Sequence, residues 1–297
     1  MGRVTRNHPV LRLGPQTAER RSDSIAVEEP LEIRIQGEPF VVTMRTPGND
    51  IDLVHGLLHS EGVIGEAADI RLARYCAGSG PDGVNPYNVL DVSLADGVAP
   101  PVAAARRAVV TTSACGICGA TSIDQVLRQS RHPLTDDLHV PAALIRSGPV
   151  LLRTQQRAFA KTGGLHAAGL LDLDGTLGGV REDVGRHNAV DKVVGWAIRQ
   201  GRLPLARTIL VVSGRASYEL TQKAVLAGIP VLAAVSAPSS LAVDLAGDAG
   251  LTLVGFVRGE SMNVYTHPER ILQDGSQPSG SDATIQPSRR VRDARGG

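Results

Sequence analysis

A chain of 297 residues, 42% of them apolar, is long enough for one large domain or two small ones with a buried core. Its 31 basic and 30 acidic side chains leave a formal net charge of +1, which excludes a global pull towards nucleic acid or an anionic membrane. Three cysteines cannot staple so long a chain, and 3% aromatics offer no base-stacking platform, so the cysteines read as intracellular thiol or metal chemistry.

Residues 1–28 are polar and arginine-rich, without the apolar stretch of a secretory signal, and read as a disordered tail. A hairpin follows, because Leu31-Ile33-Ile35 and Phe40-Val42-Met44 alternate on either side of Gly37-Glu38-Pro39. Asn49 caps a predicted helix that carries Ile51, Val54, Leu57 and Leu58 on one face and stops near Gly62. His55 and His59 share a face of that helix, but Gly56 stands where a metalloprotease has its glutamate, so they read as surface histidines. Strand-like runs at 70–76, 87–94 and 107–112 complete a strand-rich subdomain over 29–120. Gly78 to Gly83 match G-x-G-x-x-G literally, yet Pro81 and Pro86 forbid the helix that a dinucleotide fold needs there.

The strongest local signal closes this part. Cys115-Gly116-Ile117-Cys118-Gly119 follows a strand-like run and precedes a helix over 122–130, where unpaired N–H groups favour a thiolate. Its spacing leaves three chemistries: dithiol–disulfide exchange, a zinc site with Cys76 and a histidine in an interaction module, or carriage of sulfur as a persulfide.

From about 121 to 272 the pattern becomes α/β. A helix over 141–160, broken near Gly148-Pro149, leads to a strand over 167–173 and a turn at Asp174-Gly175. Helices over 187–200, 217–227 and 239–247 then alternate with strands over 208–212, 231–235 and 251–256, the signature of a parallel sheet segment. The loops after those strands carry Ser213-Gly214-Arg215, Ser236 to Ser240, and Arg258-Gly259-Glu260-Ser261. In a parallel sheet these meet at one edge, beside helix N-termini that bind phosphates. Residues 179–192 crowd acids, bases, His187 and Lys192 together. Only Lys161, Lys192 and Lys223 are lysine against 28 arginines, which singles them out as positions needing a compact ammonium. Residues 273–297 are rich in Gly, Ser, Pro and Arg and read as a second disordered tail.

Several long stretches in one order resemble the FdhD family of formate dehydrogenase accessory proteins: CGICG at Cys115–Gly119, TGGLHAA at Thr162–Ala168, EDVGRHNAVDK at Glu182–Lys192, SGRAS at Ser213–Ser217, and FVRGESMNVYTHPER at Phe256–Arg270. The resemblance implies a cytoplasmic sulfur carrier. It takes sulfur from a cysteine desulfurase and passes it to a bis-molybdopterin guanine dinucleotide molybdenum cofactor, the acceptor substrate, for formate dehydrogenase. It also implies a homodimer, no permanently bound metal, and a three-layer α/β/α core similar to cytidine deaminases. Cys115 matches the persulfide-carrying position and Cys118 its partner; Phe256, Val257, Arg258, Gly259, Glu260 and Ser261 match the cofactor-contacting segment. Deaminase chemistry itself is not expected, since the H-x-E position is filled by His166-Ala167-Ala168, without a proton-shuttling glutamate.

Overall fold

The computed structural model describes residues 3–76, 87–101, 119–134 and 137–273. Its first element is an antiparallel hairpin of β1 (Thr5–Leu13) and β2 (Ala18–Ala26), which corrects the expectation of a disordered tail over 1–28. The cause is tertiary. Asp23 to Ala26 are half-buried where β2 meets a later helix, so contact rather than apolar alternation sets the conformation.

Strands β3 (Glu29–Ile35) and β4 (Glu38–Arg45) form the expected hairpin. Gln36 and Gly37 both take positive φ, 54° and 85°, as a two-residue mirror turn requires. Helix α1 (Asp50–Ser60) begins after Asn49, but the Asn49 side chain caps nothing; its carbonyl accepts the Leu53 N–H at 2.9 Å instead. With β5 (Ile70–Tyr75) and β6 (Val89–Leu94) the sheet order is β4-β3-β6-β5. Its inner face, Leu31, Ile33, Leu90 and Val92, packs on Leu53, Val54 and Leu58 of α1.

Helix α2 (Gly119–Gln129) leads through β7 (Val140–Pro141) to α3 (Ala142–Gln155) and α4 (Arg157–Thr162). Sequence reasoning breaks this region at Gly148-Pro149. The break actually lies at Gln156, where the Ala158 and Phe159 N–H groups, free at a new helix start, donate to the Glu182 carboxylate at 2.9 and 2.7 Å. Pro149 stays inside α3, and Gly148 lets the helix lie close on Val211, 2.8 Å from where a Cβ would be.

The rest alternates: β8 (His166–Asp172), β9 (Leu177–Asp183), α5 (Arg186–Arg199), β10 (Thr208–Val212), α6 (Tyr218–Leu226), β11 (Val231–Ala234), α7 (Ser240–Ala249), β12 (Thr252–Arg258), β13 (Ser261–Val264) and β14 (Ile271–Leu272), which pairs with β7. The central sheet has the order β13-β12-β11-β10-β8-β9. β10, β11 and β12 are parallel, β8 is antiparallel to β10, and β9 is antiparallel to β8. Leu170, Leu210, Leu232 and Leu253 face α5, α6, α7 and α2, while Ile209, Val211 and Val231 face α3 on the opposite side. The architecture is therefore α/β, in three layers.

Helix α1 joins the two sheets. It crosses α5 with glycine against backbone: a Cβ on Gly56 would strike the Asp191 carbonyl, and one on Gly195 the Asp52 carbonyl. Among the described residues no helix is long and apolar enough to cross a membrane.

Candidate functional site

β9 runs with β10, β11 and β12, so their carboxyl ends share one edge of the sheet. There the three loops are stitched together by their backbones. The Ser236 N–H donates to the Gly214 carbonyl at 3.2 Å, the Phe256 N–H to the Ser236 carbonyl at 3.2 Å, and the Ser239 N–H to the Ala216 carbonyl at 3.0 Å. Ser213, Gly214 and Arg215, Ser236, and the stretch Phe256 to Ser261 thus stand side by side. The start of α7 is capped by the Ser239 side chain, which accepts the Ala242 N–H at 3.3 Å.

The hairpin between β12 and β13 is irregular, with a bulge between Gly255 and Arg258. At the bulge Phe256 holds φ at 52°, a conformation bulky side chains rarely take, and the residue is 39% exposed. Arg258 folds back, its Nε donating to the Val235 carbonyl at 3.1 Å and its guanidinium 5.9 Å from the Phe256 ring. Val257 is buried beneath them, while Gly259, Glu260 and Ser261 are exposed.

The edge extends beyond these loops. His166 opens β8 beside Gly214, whose Cβ position lies 3.3 Å from its Nδ1. The β8 backbone is tied to the Ser213 loop in both directions: the Ala167 N–H donates to Ser213 Oγ at 2.9 Å, and the Ser213 N–H donates to the Ala167 carbonyl at 3.0 Å. Burial lowers the pKa of His166, and the nearby Arg186 guanidinium lowers it further. His187, in the first turn of α5, lies 3.2 Å from the Glu219 carboxylate and 3.3 Å from Ser217 Oγ at the start of α6. That hydrogen bond pulls the Glu219 carboxyl down to about 2. The crowding over 179–192 is visible in the sequence but its link to the phosphate loops is not, because β9, which delivers it to the same edge, carries no apolar pattern.

Several sequence-predicted residues fall elsewhere. Cys115 and Cys118 lie outside the described residues; α2 begins at Gly119, the residue after Cys118. Cys76 is half-buried and directly follows β5. His55 and His59 are buried rather than on the surface. His55 bonds the Ile51 carbonyl through Nδ1, and both ring nitrogens of His59 are engaged by backbone, the carbonyls of Ile64 and Leu226. Among the described residues no cluster of three His, Cys, Asp or Glu side chains is placed to hold a metal. Lys223, one of the three lysines singled out above, is buried, 2.7 Å from Asp191 and 2.9 Å from Ser60 Oγ. Lys192 is buried on Asp183, and Lys161 is exposed on α4.

A profile of the FdhD/NarQ family matches residues 26–272 of the chain. A protein of Nocardia farcinica named sulfur carrier protein FdhD is 59% identical over 91% of this chain and 96% of its own length. Proteins of the same name from Streptomyces avermitilis and Mycobacterium tuberculosis are 56% and 53% identical, over 94% and 91% of this chain and all of their own lengths. The fold is similar to a crystal structure described as a formate dehydrogenase accessory protein from Desulfotalea psychrophila. That comparison has a TM-score of 0.71 and 27% identity, over 91% of this chain and all of that one.

Proposed function

The chain belongs to the FdhD/NarQ family, and from that premise we propose that it carries sulfur as a persulfide on Cys115 to a molybdenum cofactor destined for formate dehydrogenase. The observation that carries this reading is the match over residues 26–272 to a family whose curated relatives are named sulfur carriers. The stitched loops at the carboxyl edge support the acceptor: backbone N–H groups, helix starts and the side chains of Arg215 and Arg258 suit the guanine dinucleotide end of a bis-molybdopterin guanine dinucleotide cofactor. The exposed Phe256 ring offers the one broad apolar face of the hairpin to a base.

The place of α2 in the chain supports the carrier. After α2 the chain runs along the amino edge of the sheet: His132 lies 3.0 Å from a Cβ position on Gly228, before β11, and the Leu134 carbonyl 3.8 Å from one on Gly250, before β12. α2 begins at Gly119, the residue that follows Cys118 in the sequence, and the N–H groups of a helix start favour a thiolate beside it.

In the loading step the Cys115 thiolate attacks the outer sulfur of a persulfide on a cysteine desulfurase. One S–S bond breaks, another forms at Cys115, and the donor cysteine leaves as a thiolate, so no oxidant or reductant is consumed. Cys118 assists the later release. The carrier works in the cytoplasm as a homodimer. The test is formate dehydrogenase activity in cells lacking their own carrier: this chain restores it and Cys115→Ala does not, whereas full activity with Cys115→Ala overturns the reading.

A further inference from the structure

We propose that the hairpin of β1 and β2 is an arm that clasps a second copy of this chain through the face carrying Leu11 and Leu13. This rests on the homodimer stated above and adds the element that holds it.

The ribbon is regular where its own chain gives it nothing to lie on. Its nine-residue strands pair in one unbroken register, from Thr5 opposite Ala26 to Leu13 opposite Ala18, and the Gly14 N–H donates to the Thr17 carbonyl at 2.8 Å to close the turn. Among the described strands β1 pairs only with β2. The base of the arm is half-buried at Asp23 to Ala26, where the Ala26 Cβ lies 3.8 Å from a Cβ position on Gly164, just after α4. Residues 11–22, by contrast, are exposed on both faces of the ribbon. A two-stranded hairpin without a packed face is marginal in water, so this outer half needs a surface to cover it.

The apolar side chains mark the face that is covered. Leu13, 71% exposed, is the most exposed large apolar side chain among the described residues, and Leu11 is 58% exposed. Two residues apart on one strand, they share a face, opposite Ala18 and Arg20. An apolar centre rimmed by Arg12, Arg20 and Arg21 at the free end of the ribbon has the make-up of a protein interface.

Charge selects the occupant. Residues 1–26 carry five arginines against Glu19 and Asp23, whereas residues 27–273 carry 25 acidic against 22 basic side chains. The arm is positive and the body negative, so two copies offer each other opposite charge. The arm's foothold on its own chain, α4, bears Arg157 and Lys161 and no acid, and supplies none of that counter-charge. Two-fold exchange uses each arm once and closes the assembly at two copies. Each copy gives twelve outer arm residues and receives the partner's, a contact on the scale of the roughly 20–30 residues a side of a standard interface.

Sedimentation velocity of the full chain over about 0.1–100 µM tests the assignment. Wild type is expected to be a dimer whose Kd rises with salt. Leu11→Asp with Leu13→Asp is expected to raise Kd by about a hundredfold or more, as two leucine side chains buried at the contact imply. Arg20→Glu with Arg21→Glu is expected to raise it about tenfold at low salt and by much less in about 1 M NaCl, where charge is screened. Circular dichroism checks that the variants stay folded; if the leucine pair does not, the arginine pair decides. A dimer with the same Kd in wild type and in the folded variants overturns the arm and leaves the homodimer in place. A wild-type chain that stays monomeric throughout overturns both, and persulfide loading on Cys115, measured separately, is untouched by either outcome.

Discussion

The Lys192 ammonium sits 2.6 Å from the Asp183 carboxylate, with both side chains buried to within 1% of complete exclusion from solvent. Lys192 also donates to the Thr46 carbonyl at 2.8 Å, and Asp183 accepts the Thr46 N–H, so the pair fastens the segment after β4 to the end of β9 and the middle of α5. Removing one partner strands the other charge. Lys192→Met is expected to destabilise the protein by about 3–5 kcal/mol in urea unfolding. Lys192→Arg should not restore it, since a planar fork does not fit a site built around one compact ammonium. Wild-type stability in the arginine variant would show that the rarity of lysine carries no meaning here.

The crossing of α1 and α5 gives a second expectation. Gly56→Ala or Gly195→Ala would push a methyl group into a partner backbone carbonyl, and backbone cannot turn aside as a side chain does. Each should cost about 3 kcal/mol in the same assay. A change below the error of the measurement would mean that the helices are not in such close contact.

Glu219 makes stability depend on acid. Its carboxyl is held down to about 2, from an ordinary 4.5, chiefly by the hydrogen bond from His187. A depressed carboxyl stabilises the fold above its unfolded value and loses that contribution as pH falls through the folded one. The gap in urea midpoint between wild type and Glu219→Gln should therefore be complete above about pH 4.5 and shrink as the pH falls towards 2. A gap that does not vary with pH would remove the ion pair from the account.

Much of this framework is legible in the sequence. Alternation locates β3 and β4, and turn residues with period-3.6 stripes locate α5, α6 and α7 and the strands between them, because those elements bury one face or are apolar throughout. β9 and β13 escape the same reading: every residue of β9 except Asp183 is only half-buried, and β13 alternates exposed with half-buried positions, so neither carries an apolar pattern. That omission hid half of the site, since β9 delivers Arg186 and His187 to the loops. Pro149 misled in the opposite sense, breaking a helix in the sequence that tertiary packing keeps whole.

Phe256 separates stability from binding. A bulky residue at φ 52° is strained, and Phe256→Gly relieves that strain, so the variant should be more stable by about 1 kcal/mol, seen as a higher midpoint in urea. It should at the same time bind guanosine more weakly. A less stable variant would show that the ring is packing against the hairpin rather than waiting for a ligand.

The central claim is that Cys115 carries the sulfur. After incubation with a cysteine desulfurase and cysteine, mass spectrometry of peptides from the alkylated protein is expected to find one added sulfur atom on the peptide containing Cys115. The addition should be lost in Cys115→Ala and retained in Cys76→Ala. Sulfur that still loads onto Cys115→Ala, or that appears on Cys76 in the wild-type protein, would contradict the account.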